Sequence, residues 1–275
     1  MTDKKHFHLH LVSDATGETI HSVARATLSQ FEGVEPTEHF WNLVRTDRQL
    51  DDVIDGVARN PGVVVFTLVD EHLRRRLYDA CRDLNAPCIS VLDPVIATFG
   101  NYLGLRSQMR PGRQYTLDAA YFSRMEAVDF ALTHDDGQST WDLHQADIVL
   151  VGVSRTSKTP TCLYLANRGY NAANIPYVPN CPLPPEIDQL AKPLFVGLTK
   201  DPDQLVQVRR NRMRMLHQSE TTDYVDPEAV RAEVLEARRF YNSHGWPVID
   251  VSRRAIEETA AEVLSLLARR RQTRT

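Results

Sequence analysis

The sequence predicts an α/β protein made of two parallel-sheet domains, and three observations carry that expectation. Short apolar runs rich in β-branched residues alternate with helix-length amphipathic segments, as parallel strands joined by crossover helices require. The alternation runs twice along the chain, with a weaker stretch between the two series. Each series also opens in the same manner. A strand-like run enters a polar turn and then a helix, first at Ser13-Asp14-Ala15-Thr16-Gly17 and again after Gly152.

The elements of the first series follow from local pattern. Residues 6–12 read as a strand, and a helix pattern runs from Glu18 to about Phe31. A second strand is expected at 39–44. A helix over 47–59 is ended by Asn60-Pro61-Gly62. The β-branched run at 63–69 suits a strand buried on both faces. A helix over 71–84 and a strand over 87–92 complete the series. Between 93 and 112 the alternation weakens. Gly100, Gly104, Pro111 and Gly112 fall there, among Arg106, Arg110 and Arg113. That stretch is expected to connect the domains, although 94–102 has helical character. It puts an N-terminal α/β domain at 1–112 and a second domain at 113–275.

Ahead of the second series a helix is expected over 118–134, broken by His134-Asp135-Asp136-Gly137. A strand at 147–153 and a helix at 159–168, closed by Gly169, come next. Strands are expected at 174–178, 193–198 and 246–251, with a proline-rich turn over 179–185. Helices are expected at 201–216, 227–242 and 254–268. The arginines at the chain end, 269–271 and 274, suit a solvated helix terminus at the negative end of its dipole.

Composition narrows the function classes. The chain has 275 residues, 42% of them hydrophobic and 25% charged, which is ordinary for a globular protein. The 32 Lys and Arg against 36 Asp and Glu give a net charge of −4, opposite to a protein that coats nucleic acid. No apolar run approaches the roughly 18–20 residues of a membrane span. The opening MTDKKHFHLHLVSD lacks the apolar core of a signal peptide, so a cytoplasmic location is expected. Cys81, Cys88, Cys162 and Cys181 form no C-x-x-C pair and are expected to be buried thiols.

The most informative segment is 146–159, where a buried strand runs into Gly152-Val153-Ser154-Arg155-Thr156-Ser157-Lys158-Thr159. The phosphate-loop pattern is G-x-x-x-x-G-K-[ST]. Gly152, Lys158 and Thr159 match it in register, and Ser157 replaces the second glycine. Successive backbone N–H groups in such a loop form an anion-binding nest, and the following helix adds about half a positive charge. Lys158 would neutralise the outer phosphate oxygens and the Thr159 hydroxyl would ligate Mg²⁺. Val153, Ser154, Arg155, Thr156 and Ser157 would supply the cradle, Arg155 adding a cation. A Cβ at Ser157 limits how closely the backbone wraps phosphate if its φ is positive.

Gly152–Thr159, continued by Pro160-Thr161-Cys162-Leu163-Tyr164-Leu165-Ala166-Asn167-Arg168-Gly169, resembles the pyruvate, phosphate dikinase regulatory protein family and its sister family acting on phosphoenolpyruvate synthase. Ser157 falls within that family's pattern. Further matches are Ser13-Asp14-Ala15-Thr16-Gly17-Glu18-Thr19, His134-Asp135-Asp136-Gly137, Ala173-Asn174-Ile175-Pro176-Tyr177-Val178-Pro179 and Glu220-Thr221-Thr222-Asp223-Tyr224-Val225-Asp226. They span nearly the whole chain, and the first loop is closer to the dikinase branch. The resemblance implies a bifunctional enzyme acting on the dikinase as protein substrate. In one direction the β-phosphoryl of ADP goes to a dikinase threonine near the target's catalytic histidine, which must itself carry phosphate, releasing AMP. In the other, inorganic phosphate takes that phosphoryl off and forms pyrophosphate.

Other constellations bear on this chemistry. Arg209 and Arg212, three apart, would share a helix face and close on donor phosphates, as lid arginines of small phosphate-loop kinases do. They could equally belong to a solvated basic face with Arg210 and Arg214. Asp135 could orient or deprotonate the threonine hydroxyl, or hold Mg²⁺ through water, although Asp-Asp-Gly is also a common turn. Asp14 sits where open α/β sheets bind ligands, or it simply belongs to a helix-start turn. His6, His8 and His10 alternate onto one strand face, opposite Phe7, Leu9 and Leu11, a spacing that does not close a zinc site alone.

The expectation is therefore an α/β protein whose C-terminal domain is a P-loop kinase-like nucleotide-binding domain. ADP is the expected donor and Mg²⁺ the expected metal. Catalytic work is expected of Lys158, Asp135 and Arg155. No nucleic-acid or membrane partner is expected, and an oligomer is compatible with the sequence. The rivals are the same chemistry on phosphoenolpyruvate synthase, a small-molecule kinase using ATP, and a non-catalytic nucleotide sensor.

Overall fold

The computed structural model describes residues 4–108, 119–137, 139, 142–181, 183, 187, 189–215 and 222–273. The chain divides into two compact units, Met1–Thr116 and Leu117–Thr275. The boundary expected at Gly112 lies outside the described residues, as do Glu220 and Thr221.

The first unit runs β1 (Lys5–Val12), α1 (Glu18–Leu28), β2 (Val34–Trp41), α2 (Asp47–Arg59), β3 (Gly62–Phe66), α3 (Glu71–Asp83), β4 (Cys88–Ser90) and α4 (Asp93–Leu103). Its four strands are all parallel in the order β2-β1-β3-β4. Apolar side chains leave this sheet on both faces. Leu9 and Leu11 of β1 meet Ile20 and Ala24 of α1. Val12, Val64 and Phe66 meet Leu50, Val53 and Val57 of α2 and Leu73, Leu77 and Cys81 of α3.

One expectation fails here. The second strand is not at 39–44 but at Val34–Trp41, paired from Lys5↔Val34 to Val12↔Trp41. It is an edge strand whose burial alternates only weakly, so its residues carry little strand periodicity, and Pro36 is tolerated there. In the stretch from 93 the helical character expected of 94–102 is realised. That stretch begins with α4, where Pro94 sits in the first turn and Gly104 ends the helix at φ 64.

The second unit runs α5 (Ala119–Thr133), β5 (Ile148–Gly152), α6 (Lys158–Ala166), β6 (Ala172–Pro176), β7 (Leu194–Thr199), α7 (Pro202–Met215), α8 (Pro227–Ser243), β8 (Val248–Asp250) and α9 (Ile256–Gln272). Its sheet is again all parallel, in the order β6-β5-β7-β8, the same arrangement as the first. Every residue of β5 and β7 is buried, as apolar strands covered by helices on both faces should be. Ile148, Leu150, Val196 and Leu198 pack on α5, α6 and α9. Val149, Val151 and Phe195 pack on α7 and α8. At Gly197 a Cβ would run into the Tyr241 ring, so only glycine lets α8 lie this close to the sheet.

In each sheet the first strand has its sequence-next strand on one side and the following one on the other. The carboxyl ends of β1 and β5 are therefore topological switch points, where open α/β sheets bind ligands. Ser13–Gly17 follows one and 153–157 the other. Among the described residues no helix is long and apolar enough to cross a membrane. Cys81 and Cys162 are buried and Cys88 half-buried, but Cys181 is exposed, against the expectation of four buried thiols. Arg270 is not simply solvated, since it donates to the Pro193 and Ala191 carbonyls.

Candidate phosphate-binding site

The loop after β5 is built from within. Thr156 Oγ1 donates to the Val153 carbonyl at 2.9 Å and is fully buried. A Cβ on Gly152 would come within 2.5 Å of that hydroxyl and 3.1 Å of the Leu198 carbonyl, so the turn closes only on glycine. The Gly152 carbonyl accepts from Tyr177 N at 3.0 Å, tying the loop to the end of β6. Arg155 and Ser157 both hold positive φ, at 72° and 62°. Ser157 is thus left-handed despite its Cβ, and it caps α6 with no side-chain hydrogen bond. The first N–H groups of a helix have no intrahelical partner, and that end favours anions.

Lys158 is no surface lysine. It is 6% exposed, and its ammonium donates to the Val153 carbonyl at 3.2 Å. Burial pushes its pKa down from 10.5 to about 8, with Asp136, Cys162 and Asp135 pulling the other way. A buried cation held without a full counter-charge is prepared to receive an anion.

The turn after α5 brings the carboxylates. His134 is buried, stacks on Phe130 at 3.8 Å, and bridges the Phe130 carbonyl and Asp142. Its carbonyl accepts from Asn174 N on β6. Asp135 accepts from Thr159 Oγ1 at 2.7 Å and from Asn174 Nδ2. The Asn174 side-chain oxygen in turn accepts from Asp136 N at 3.1 Å. Asp136, at φ 51°, is exposed and lines a cavity of about 530 Å³ together with Ser154, Arg155, Ser157, Lys158 and Thr159. Lys200, just after β7, and Pro176 complete the rim.

Of the residues expected at the site, 152–159 and Asp135 converge. Gly152, Val153 and Thr156 form the buried floor, while Ser154, Arg155, Ser157, Lys158 and Thr159 face the cavity. Arg209 and Arg212 do not act as an expected pair of lid arginines on one face. Arg209 is 1% exposed and ion-paired with Glu233, whereas Arg212 is exposed. Three residues along a helix turn through about 300°, leaving 60° between the side chains, and the edge of the buried face of α7 falls in that gap. Asp14 is buried and accepts from Val69 N at 2.8 Å, binding the first loop to the end of β3. Burial pushes its carboxyl above the usual range, with Val69 N and Arg45 acting against the rise. His10, on the histidine face of β1, is fully buried and stacked on His39 at 4.5 Å.

Asp136, Asn174, Lys200 and Glu233 went unnoticed as site residues in the sequence. Two of them carried a signal: Asn174 is a polar residue inside the otherwise apolar Ala-Ala-Asn-Ile-Pro strand, and Asp136 stands in the matched His134-Asp135-Asp136-Gly137 turn. The donor set at Thr159 and Asp135 is hydroxyl and carboxylate oxygen. That is the ligand type Mg²⁺ takes, with phosphates and waters completing its shell.

The family model described as Kinase/pyrophosphorylase matches residues 9–264. A relative from Paramagnetospirillum magneticum named "Putative pyruvate, phosphate dikinase regulatory protein" is 57% identical over 273 residues, covering 99% of this chain and 88% of its own. One of the same name from Caulobacter vibrioides is 53% identical over 263 residues, covering 96% and 84%. A match that spans both sheets and the loop after β5 leaves one assignment: the chain belongs to the kinase/pyrophosphorylase family and is a phosphotransferase by kind.

Proposed function

We propose that this protein regulates pyruvate, phosphate dikinase by reversible phosphorylation of a threonine. ADP donates its β-phosphoryl to the threonine oxygen and leaves as AMP. In the return reaction inorganic phosphate attacks the phosphothreonine phosphorus, the threonine oxygen leaves, and pyrophosphate forms. The observation that carries this reading is the convergence of buried Lys158, Thr159 and Asp136 on one cavity at the switch point of the second sheet, with Asp135 holding the Thr159 hydroxyl from behind. The relatives' names supply the target.

Phosphoryl transfer depends on positioning and charge more than on covalent chemistry. The left-handed turn at Ser157 and the start of α6 hold the diphosphate by backbone N–H groups. Lys158 neutralises charge on the transferring group from a buried position, where a cation acts more strongly. Arg155 faces the same cavity and adds a second cation. Asp135 is committed to Thr159 and Asn174, so it sets the Thr159 hydroxyl rather than meeting substrate. Asp136 is the carboxylate that faces the cavity and can take the threonine proton, a reassignment of the role expected of Asp135. Mg²⁺ held by Thr159 and Asp135 would offset charge on the phosphate oxygens.

The test is to incubate the protein with the dikinase in its phosphohistidine form plus ADP or ATP, and weigh the intact dikinase. A single added phosphoryl on threonine with ADP is expected. Marking that requires ATP, or inhibition with no covalent mark, overturns the reading. Phosphorylation of phosphoenolpyruvate synthase in place of the dikinase reassigns the target.

A further inference from the structure

Arg209 heads the largest fully buried side chains among the described residues, and its partners are spread over three elements. Nη1 donates to Glu233 Oε2 at 2.7 Å and to the Tyr224 carbonyl at 3.1 Å. Nη2 donates to Glu233 Oε1 at 3.0 Å and to the Ser154 carbonyl at 3.2 Å. The guanidinium also lies over the Tyr224 ring, 4.5 Å from its centroid, while Tyr224 Oη and Ser154 Oγ share a hydrogen bond at 3.0 Å. Glu233 takes only two of the five guanidinium N–H groups, two more bonds run to carbonyls, and Nε has no partner among the described residues. From α7 one of these bonds reaches a carbonyl of the phosphate loop.

That carbonyl is a telling place to hold. In a trans peptide the C=O of Ser154 and the N–H of Arg155 point in opposite directions. Anchoring the carbonyl on the buried guanidinium turns the Arg155 N–H away from the core. The same anchor stands immediately before Arg155 at φ 72° and three residues before Ser157 at φ 62°. Non-glycine residues keep left-handed backbone only where the surroundings over-determine it. The Thr156 hydroxyl and Lys158 ammonium both secure Val153. Arg209 secures the next residue.

We propose that Arg209, braced by Glu233, is a positioning residue that orients the Ser154–Arg155 peptide for phosphate and thereby sets the affinity of the loop for phosphate-bearing ligands without touching them. The inference rests on the functional reading above. It replaces the expectation that Arg209 contacts the donor directly.

The test uses the full chain and MgADP. Arg209→Lys keeps the charge but loses the fork that serves three partners at once. Calorimetry well below the variant's melting temperature is expected to show MgADP binding weakened about tenfold. KM for ADP should rise in step, with kcat at saturation within about threefold. Adding Ser157→Gly, which removes one left-handed strain, should recover most of the affinity. A merely structural role would lower the melting temperature and leave the affinity of the folded protein unchanged, with nothing for Ser157→Gly to restore. Tyr224→Phe, which keeps the carbonyl anchor, should bind MgADP within about threefold of wild type. If Arg209→Lys does not fold, Glu233→Gln should give the same pattern of raised KM and glycine rescue. Wild-type affinity in the folded Arg209 or Glu233 variant, or a loss that glycine does not reverse, overturns the inference. A wild-type protein that binds no MgADP overturns the functional reading along with it. Dikinase phosphorylation with KM unmoved in Arg209→Lys overturns the inference alone.

Discussion

Replacing Lys158 with methionine should abolish phosphate binding and at the same time make the protein more stable. Lys158 is 6% exposed, and burial brings its pKa from 10.5 to about 8. At about 1.4 kcal/mol per tenfold, holding that charge inside the loop costs about 3 kcal/mol relative to the unfolded chain. Methionine has similar reach and no charge. The Val153 carbonyl that loses the ammonium keeps its bond from Thr156 Oγ1, so no acceptor is orphaned. A gain of about 2–3 kcal/mol in a unit of this size corresponds to a rise in Tm of roughly 5–10 °C. The pH dependence has a definite sign. The unfolded chain binds the lysine proton more tightly, so wild-type stability rises as pH climbs from about 8 toward 10.5. The variant lacks this rise, and its advantage should be largest at pH 7 and shrink above pH 8. Scanning calorimetry of both proteins at pH 7 and pH 9.5, with titration of MgADP at pH 7, tests this. A folded variant that melts below wild type at pH 7 would refute the account of Lys158 as a buried cation without a full counter-charge.

Three other outcomes follow from the same geometry. Thr159→Val should lose about 10- to 100-fold in kcat and most of its Mg²⁺ dependence, while Thr159→Ser keeps both, as steady-state assays over a Mg²⁺ range would show. Gly152→Ala should lower stability by about 1–3 kcal/mol in denaturant unfolding and weaken nucleotide binding, because its Cβ meets Thr156 Oγ1 and the Leu198 carbonyl. His10 donates to the Asn60 carbonyl at 2.8 Å and accepts from Trp41 Nε1 at 3.2 Å, so it is held neutral, and burial lowers its pKa. The unfolded chain then takes up the proton first as pH falls below about 6.5. Stability should decline from there, with a shallower slope in His10→Gln, read by urea unfolding between pH 7 and pH 5.

Elements whose cause is local were readable in the chain. β5 is an apolar run on both faces, and β3 and β7 share that character, so each announced itself without any partner. The helix starts at Thr46, Asp70 and Asp226 carry side-chain caps that a short stretch of sequence contains in full. β2 was displaced by several residues because an edge strand's place is set by the strand it pairs with. Here that is β1, and nothing within residues 34–41 specifies the register.

The site divides along the same line. Gly152 through Thr159 form one continuous stretch, and their chemistry of close turn, lysine and hydroxyl is a matter of spacing along a single backbone. Asp136, Asn174 and Lys200 enter from other segments, and they meet the loop only because parallel pairing lines up the strand ends beside β5. The fate of Arg209 and Arg212 shows why spacing alone falls short. Their separation puts them near one another on α7, but which of them is buried depends on where α8 and Glu233 pack. Chain order thus carried the fold class and the identity of the loop. Packing of distant segments decided which charges face the cavity and which are turned inward to hold it.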